Sequence, residues 1–136
     1  MTSHYQRLGG DAAIRQLATR FYELMDELPE TCALRQIHPQ DLAGATDTLY
    51  EFLCGWTGGP QRFVEKHGPP MLRRRHQAFR IGHEERDQWL LAMRLALAEV
   101  VADANLRGEL GRAFTALADH LRNQRRISLR LAVRDA

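Results

Sequence analysis

Cysteine is scarce in this chain: Cys32 and Cys54 are the only two and they form no Cys-x-x-Cys pair, which excludes a disulfide framework and leaves a thiolate zinc site nothing to build on. Both read as buried or idle thiols. A large charge of one sign is also missing. The formal net charge is +2, and the basic groups Arg73-Arg74-Arg75 and Arg125, Arg126, Arg130, Arg134 lack the interleaved aromatics of a nucleic-acid surface. No nucleic-acid partner is expected. No apolar run approaches the length of a membrane span, and Met1-Thr2-Ser3-His4-Tyr5 has none of the apolar core of a signal peptide. A cytoplasmic protein with no membrane partner is expected. Sustained two-residue alternation of apolar and polar residues is absent too, which argues against half-buried strands.

What remains is a chain of 136 residues, 44% hydrophobic and 26% charged, enough for one domain that encloses a flat cofactor. Its apolar residues recur by threes and fours. Ile14, Leu17, Ala18, Phe21, Tyr22 and Met25 form the first stripe, entered through Gly9-Gly10, with Asp11 expected to cap it and Pro29 to end it. His38-Pro39 marks a corner. Leu42, Ala45, Leu49, Phe52, Leu53 and Trp56 form a second stripe, stopped at Gly58-Gly59-Pro60. From Thr57 to Gly82 the glycines and prolines leave room for one short helical piece near Met71 to Gln77. Two long helices follow, marked by Trp89, Leu90, Met93, Leu97, Val100 and Val101, then by Leu106, Leu110, Phe114, Leu117 and Leu121, turning at Asp103-Ala104-Asn105 and packing antiparallel. The fold class is all-α, with a domain over residues 1–124 and a basic extension over 125–136.

Six histidines are present. His4, His67, His83 and His120 fall at a terminus, beside glycines or on an exposed face, where a surface role is ordinary. His76 stands apart, in a short helical piece among Met71, Leu72 and Phe79. A neutral imidazole is the commonest axial ligand of haem iron, and arginines beside it pair with propionates, which suits Arg73, Arg75 and His76. His76 and His83 lack a carboxylate or cysteine in a known ligand spacing for zinc or non-haem iron. No serine or cysteine sits in a nucleophile elbow.

The pattern from Tyr5 to Asn123 resembles the truncated haemoglobins, in particular their second group. The residues that carry the resemblance are Tyr5 with Gly9-Gly10, Arg20-Phe21-Tyr22, Asp41-Leu42-Ala43-Gly44-Ala45, Gly58-Gly59-Pro60, Leu72-Arg73 with Arg75-His76 and Phe79, and Glu85-Arg86-Asp87 leading to Trp89-Leu90. The chain departs from the family pattern at Phe63, Pro69 and Ala78. The resemblance implies a two-over-two helical sandwich around haem b, with His76 as proximal iron ligand and Tyr22, His38 and Trp89 facing the bound ligand. Ala45 and Leu49 match positions opposite the iron. Phe52, Leu53, Phe79 and Met93 join Arg73 and Arg75 as expected haem contacts.

The implied ligands are dioxygen, carbon monoxide and nitric oxide, with a reductase as a possible partner and a monomer or weak homodimer as the form. Bound dioxygen carries partial negative charge, so the Tyr22 hydroxyl, the Trp89 indole N–H and an imidazole N–H of His38 would slow its release. That favours nitric oxide dioxygenase or peroxidase-like chemistry over bulk oxygen transport. Two other readings stay open on the residues alone: a haem-based ligand sensor, and a cofactor-free helical interaction module in which Tyr22 and Trp89 are core. His38 at its corner can equally be satisfied by a backbone carbonyl.

Overall fold

The computed structural model describes residues 2–122, and all regular structure among them is helical. The basic extension expected over 125–136 lies outside the described residues. The order is α1 (His4–Leu8), α2 (Asp11–Glu27), a 3-10 turn (Pro29–Thr31), α3 (Cys32–Gln36), α4 (Ala43–Trp56), α5 (Arg62–His67), α6 (Leu72–Arg75), α7 (His83–Val100) and α8 (Ala104–Leu121). α2 packs on both α4 and α7, and α7 packs on α8, so two helix pairs face each other. No described helix is long and apolar enough to cross a membrane.

The four long helices are those the apolar stripes mark, and their stripes meet in one core. Ile14, Phe21, Met25, Leu53, Met93, Leu106, Leu110 and Phe114 are all fully buried there. Aromatic rings tie the pairs together: Trp89 lies 5.1 Å from Phe21 and 5.6 Å from Phe114, and Trp56 lies 4.7 Å from Phe114. Buried aromatic area of this kind dominates the stability of a small helical domain.

Three short helices are not marked by stripes. α1, α3 and α5 have five, five and six residues, fewer than two turns, so the segment between Thr57 and Gly82 holds two helices where one is expected. α1 is set instead by a capping box, in which Ser3 Oγ accepts from Gln6 N and Gln6 Oε1 accepts from Ser3 N, satisfying amides that a helix start leaves open. Gly59 then lets the Tyr5 ring close down on the end of α4, since a Cβ there would sit 2.4 Å from Tyr5 Cδ2.

Asp11 has a different role from the expected cap. α2 starts at Asp11 with Gly10 as its cap and no side-chain capping bond. The carboxylate turns outward and accepts from the hydroxyls of Tyr50 (2.5 Å) and Tyr5 (3.3 Å) and from Arg62 Nη2 (3.0 Å). The bond from Tyr50 comes first among the effects that hold this carboxyl below its ordinary range, with Arg62 adding to it against the cost of burial. α1, α2, α4 and α5 are thereby pinned at one point. Their shared geometry fixes the wall of the cavity that α4 and α5 line.

Candidate functional site

A cavity of about 520 Å³ opens between α4 and α5 on one side and α6, α7 and the end of α8 on the other, inside the range of roughly 300–1,000 Å³ usual for small-molecule and cofactor sites. Tyr22, His38 and Trp89 line it, and so do His76, Arg75 and Phe79. Ala45, Leu49, Phe52 and Leu53 line it from α4. Two of the residues marked in the sequence stand elsewhere: Met93 is fully buried in the core, and Arg73 is exposed on α6 away from the lining.

The short α6 segment carries the histidine. Met71, its cap, adopts the left-handed region with φ of 44°, which a non-glycine residue holds only when its surroundings impose it. The surroundings here are drawn together by Arg75, whose guanidinium donates to the carbonyls of Pro70 (2.5 Å), His67 (3.0 Å) and Pro69 (3.2 Å) while lying 4.9 Å over the Phe63 ring. One cation gathers the irregular stretch and docks it on α5.

His76 follows directly. Its Nδ1 lies 2.6 Å from the Leu72 carbonyl, and a carbonyl only accepts, so Nδ1 carries the proton and Nε2 carries the lone pair. A carbonyl that accepts from one ring nitrogen sets the tautomer and the ring plane of a metal-binding imidazole.

Three groups stand apart from His76 around the same cavity. Tyr22 is 9% exposed, with its ring edge-on to Phe21 at 4.8 Å and to His38 at 5.7 Å. Burial pushes its hydroxyl up to about 12, so it stays a proton donor throughout the neutral range. Among the described residues neither this hydroxyl nor the Trp89 indole N–H has a hydrogen-bond partner, and neither is sealed from the cavity. His38 differs, because its Nδ1 meets the Leu34 carbonyl at 2.9 Å. Burial lowers its pKa, against the raising effect of that bond and with repulsion from Arg35 and His76. The ring is therefore neutral near pH 7, its N–H is committed to Leu34, and Nε2 accepts. Of the two roles expected of His38, this arrangement corresponds to the ring satisfied by a backbone carbonyl.

The corner that bears His38 is fixed by α7. The Leu34 amide donates to Gln88 Oε1 at 2.9 Å, one residue before Trp89, and Thr31 closes the turn above by donating its buried hydroxyl to the Met25 carbonyl at 2.7 Å.

Sequence reasoning missed several lining residues. His67, read as surface, ends α5 at the rim, with its Nε2 3.1 Å from Glu51 Oε1. Burial of Glu51 works against its charge, yet bonds from Lys66 and His67 bring its carboxyl below the ordinary range. Arg86 lines the opposite rim and donates to Asp119 at 2.8 Å. Both lie among polar residues, where no apolar stripe points to a cavity; Glu85-Arg86-Asp87 was visible only as part of the resemblance.

Comparison with known proteins decides what this pocket belongs to. The family model for the bacterial-like globins matches residues 3–123. A group 2 truncated haemoglobin of Bacillus subtilis is 36% identical over 115 residues, 85% of each chain. The chain belongs to the group 2 truncated haemoglobins. Among solved structures, the group II 2-on-2 haemoglobin of the plant pathogen Agrobacterium tumefaciens superposes with a TM-score of 0.89 at 49% identity, over 91% of this chain and 96% of that one. The cold-adapted truncated haemoglobin of the Antarctic bacterium Pseudoalteromonas haloplanktis also gives 0.89, at 41% identity over 90% and 99%. The arrangement of helix pairs around the cavity is thus the 2-on-2 globin fold. Membership makes this truncated haemoglobin a haem protein that binds diatomic gases. The residues present fit that group: an apolar slot, one imidazole whose lone-pair nitrogen is fixed by its other nitrogen, and a guanidinium at the rim.

Proposed function

We propose that the cavity holds haem b through Nε2 of His76, and that Tyr22 and Trp89 donate hydrogen bonds to a diatomic ligand on the opposite face. Haem supplies an iron centre for reversible gas binding and one-electron chemistry. The observation that carries this reading is the pair of unpartnered donors, Tyr22 Oη–H and Trp89 Nε1–H, turned to the same apolar space as His76.

Each donor acts where charge gathers. A hydrogen bond to a charged acceptor contributes roughly 1.5–3 kcal/mol, and about 1.4 kcal/mol is tenfold in an equilibrium constant. Two such bonds retain dioxygen on the order of a hundredfold longer than none, or more. His38 contributes an acceptor beside them, its Nδ1–H being committed to the Leu34 carbonyl. Slow release suits reaction of the held ligand with nitric oxide, or peroxide chemistry, better than bulk transport. Haem held here would need a reductase as partner to supply its electrons. The two free thiols, Cys32 and Cys54, are in keeping with a reducing cytoplasm. Residues 1–124 form the haem-binding unit, as a monomer or weak homodimer.

The purified protein is expected to show a Soret band, and His76→Gly to lose most of its haem unless imidazole is supplied. A wild type that stays colourless with added hemin overturns the proposal. Trp89→Phe is expected to speed dioxygen release by more than about tenfold; an unchanged rate reduces Trp89 to packing.

A further inference from the structure

Around the segment that carries His76, charge and apolar surface combine in a way the pocket itself does not use. Between Arg62 and His83 the sequence holds six arginines and lysines and one carboxylate, Glu65. Three of the six are accounted for. Arg62 is held by Asp11, Lys66 by Glu51, and Arg75 by the loop carbonyls. Arg73, Arg74 and Arg80 are exposed, and among the described residues no ion pair involves them. Beside them Met71 is 52% exposed and Phe79 41%, two of the few large apolar side chains left in solvent.

Exposed apolar side chains close in sequence to unpaired charges of one sign suit contact with a partner of opposite charge. The site it borders narrows the kind of partner. Phe79 lines the cavity as well as the surface, and His76 sits three residues earlier, so a carrier seated on this face comes within a side chain's depth of the pocket. We infer that the Met71–Arg80 face is the docking surface for an acidic one-electron carrier protein, of the iron–sulfur or flavin class. It rests on the haem reading above. The carrier gives up one electron and becomes oxidised, and the ferric centre takes that electron and becomes ferrous; no atom is transferred. Charge-steered contacts are typical of weak redox encounters, whereas nucleic-acid affinity needs many phosphate contacts along a longer surface.

The test reverses two charges that take no part in the pocket, Arg74→Glu with Arg80→Glu, and uses plant-type ferredoxin as the acidic probe. Binding of oxidised ferredoxin to the ferric protein is measured by titration. Reduction is followed with reduced ferredoxin and, as a control, with photogenerated lumiflavin semiquinone, which is small and uncharged at neutral pH. At low ionic strength the double variant is expected to bind ferredoxin at least about tenfold more weakly and to be reduced by it at least about tenfold more slowly. Both gaps should close as salt shortens the screening length from about 30 Å at 0.01 M to about 3 Å at 1 M. Lumiflavin reduction and the Soret band should not change. A haem-loaded wild type and variant that behave alike toward ferredoxin at low salt overturn the docking surface. So does a variant that loses binding to phosphatidylserine vesicles or duplex DNA while ferredoxin is unaffected. A wild type without a Soret band overturns the haem reading itself, and is seen before any partner is added.

Discussion

Tyr22→Phe separates a ligand-holding tyrosine from a core tyrosine, because the two roles give opposite pairs of results. The ring contributes packing against Phe21 and His38 at 4.8 and 5.7 Å, and phenylalanine keeps it. What is removed is a hydroxyl with no hydrogen-bond partner among the described residues. A polar group that makes no protein bond adds little to folding, so the apoprotein should unfold in urea at a free energy within about 1 kcal/mol of wild type, on either side. The ligand-bound state should behave otherwise. Loss of one bond to a charged acceptor is worth roughly 1.5–3 kcal/mol, which is about 10- to 150-fold in release rate. Stopped-flow displacement of dioxygen by carbon monoxide reads the second quantity, and urea unfolding of the apoprotein reads the first. A variant that loses well over 1 kcal/mol of stability while its release rate stays within about threefold refutes the reasoning and makes Tyr22 a core residue.

Gly59→Ala places a Cβ 2.4 Å from the Tyr5 ring and should cost roughly 1–3 kcal/mol as overpacking; adding Tyr5→Ala should bring no loss beyond that of Tyr5→Ala alone, measured by urea midpoints. His38 predicts a pH dependence. Its folded pKa lies below the usual 6.5, so the unfolded chain takes up the proton first as pH falls. Stability tied to this group is complete above about pH 6.5 and drains away below it. His38→Phe should therefore lose less stability than wild type between about pH 7.5 and about pH 5; equal losses refute the assignment of a neutral ring.

The long helices were legible because each repeats its apolar residues over three or more turns, as from Ile14 to Met25 or from Leu106 to Leu121. A five-residue helix such as α3 cannot repeat anything, and α1 depends on a capping box read from two residues. Ser3 and Gln6 satisfy that pattern as plainly as Asp11 satisfies the pattern of a cap, yet Asp11 serves a tertiary role. Residue type alone does not separate the two, since one carboxylate suits an amide, two phenols and a guanidinium equally. His67 escaped for a related reason. Its neighbour Gly68 signals a loop, whereas its cavity position is set by α5 packing on α4, a contact with no trace in local spacing. The tautomer of His38 depends on how the corner closes over Leu34, so only a folded chain shows that its N–H is already taken.

The bond from the Leu34 amide to Gln88 has a mechanical meaning. Gln88 and Trp89 are consecutive on α7, so the helix that presents the indole also grips the corner that presents the His38 imidazole. Neither edge can drift from the other without breaking that grip. An engineer wishing to admit a bulkier gas-like molecule would gain little by trimming one edge alone. Both sides travel together, joined by one carboxamide on top of the packing of α3 against α7.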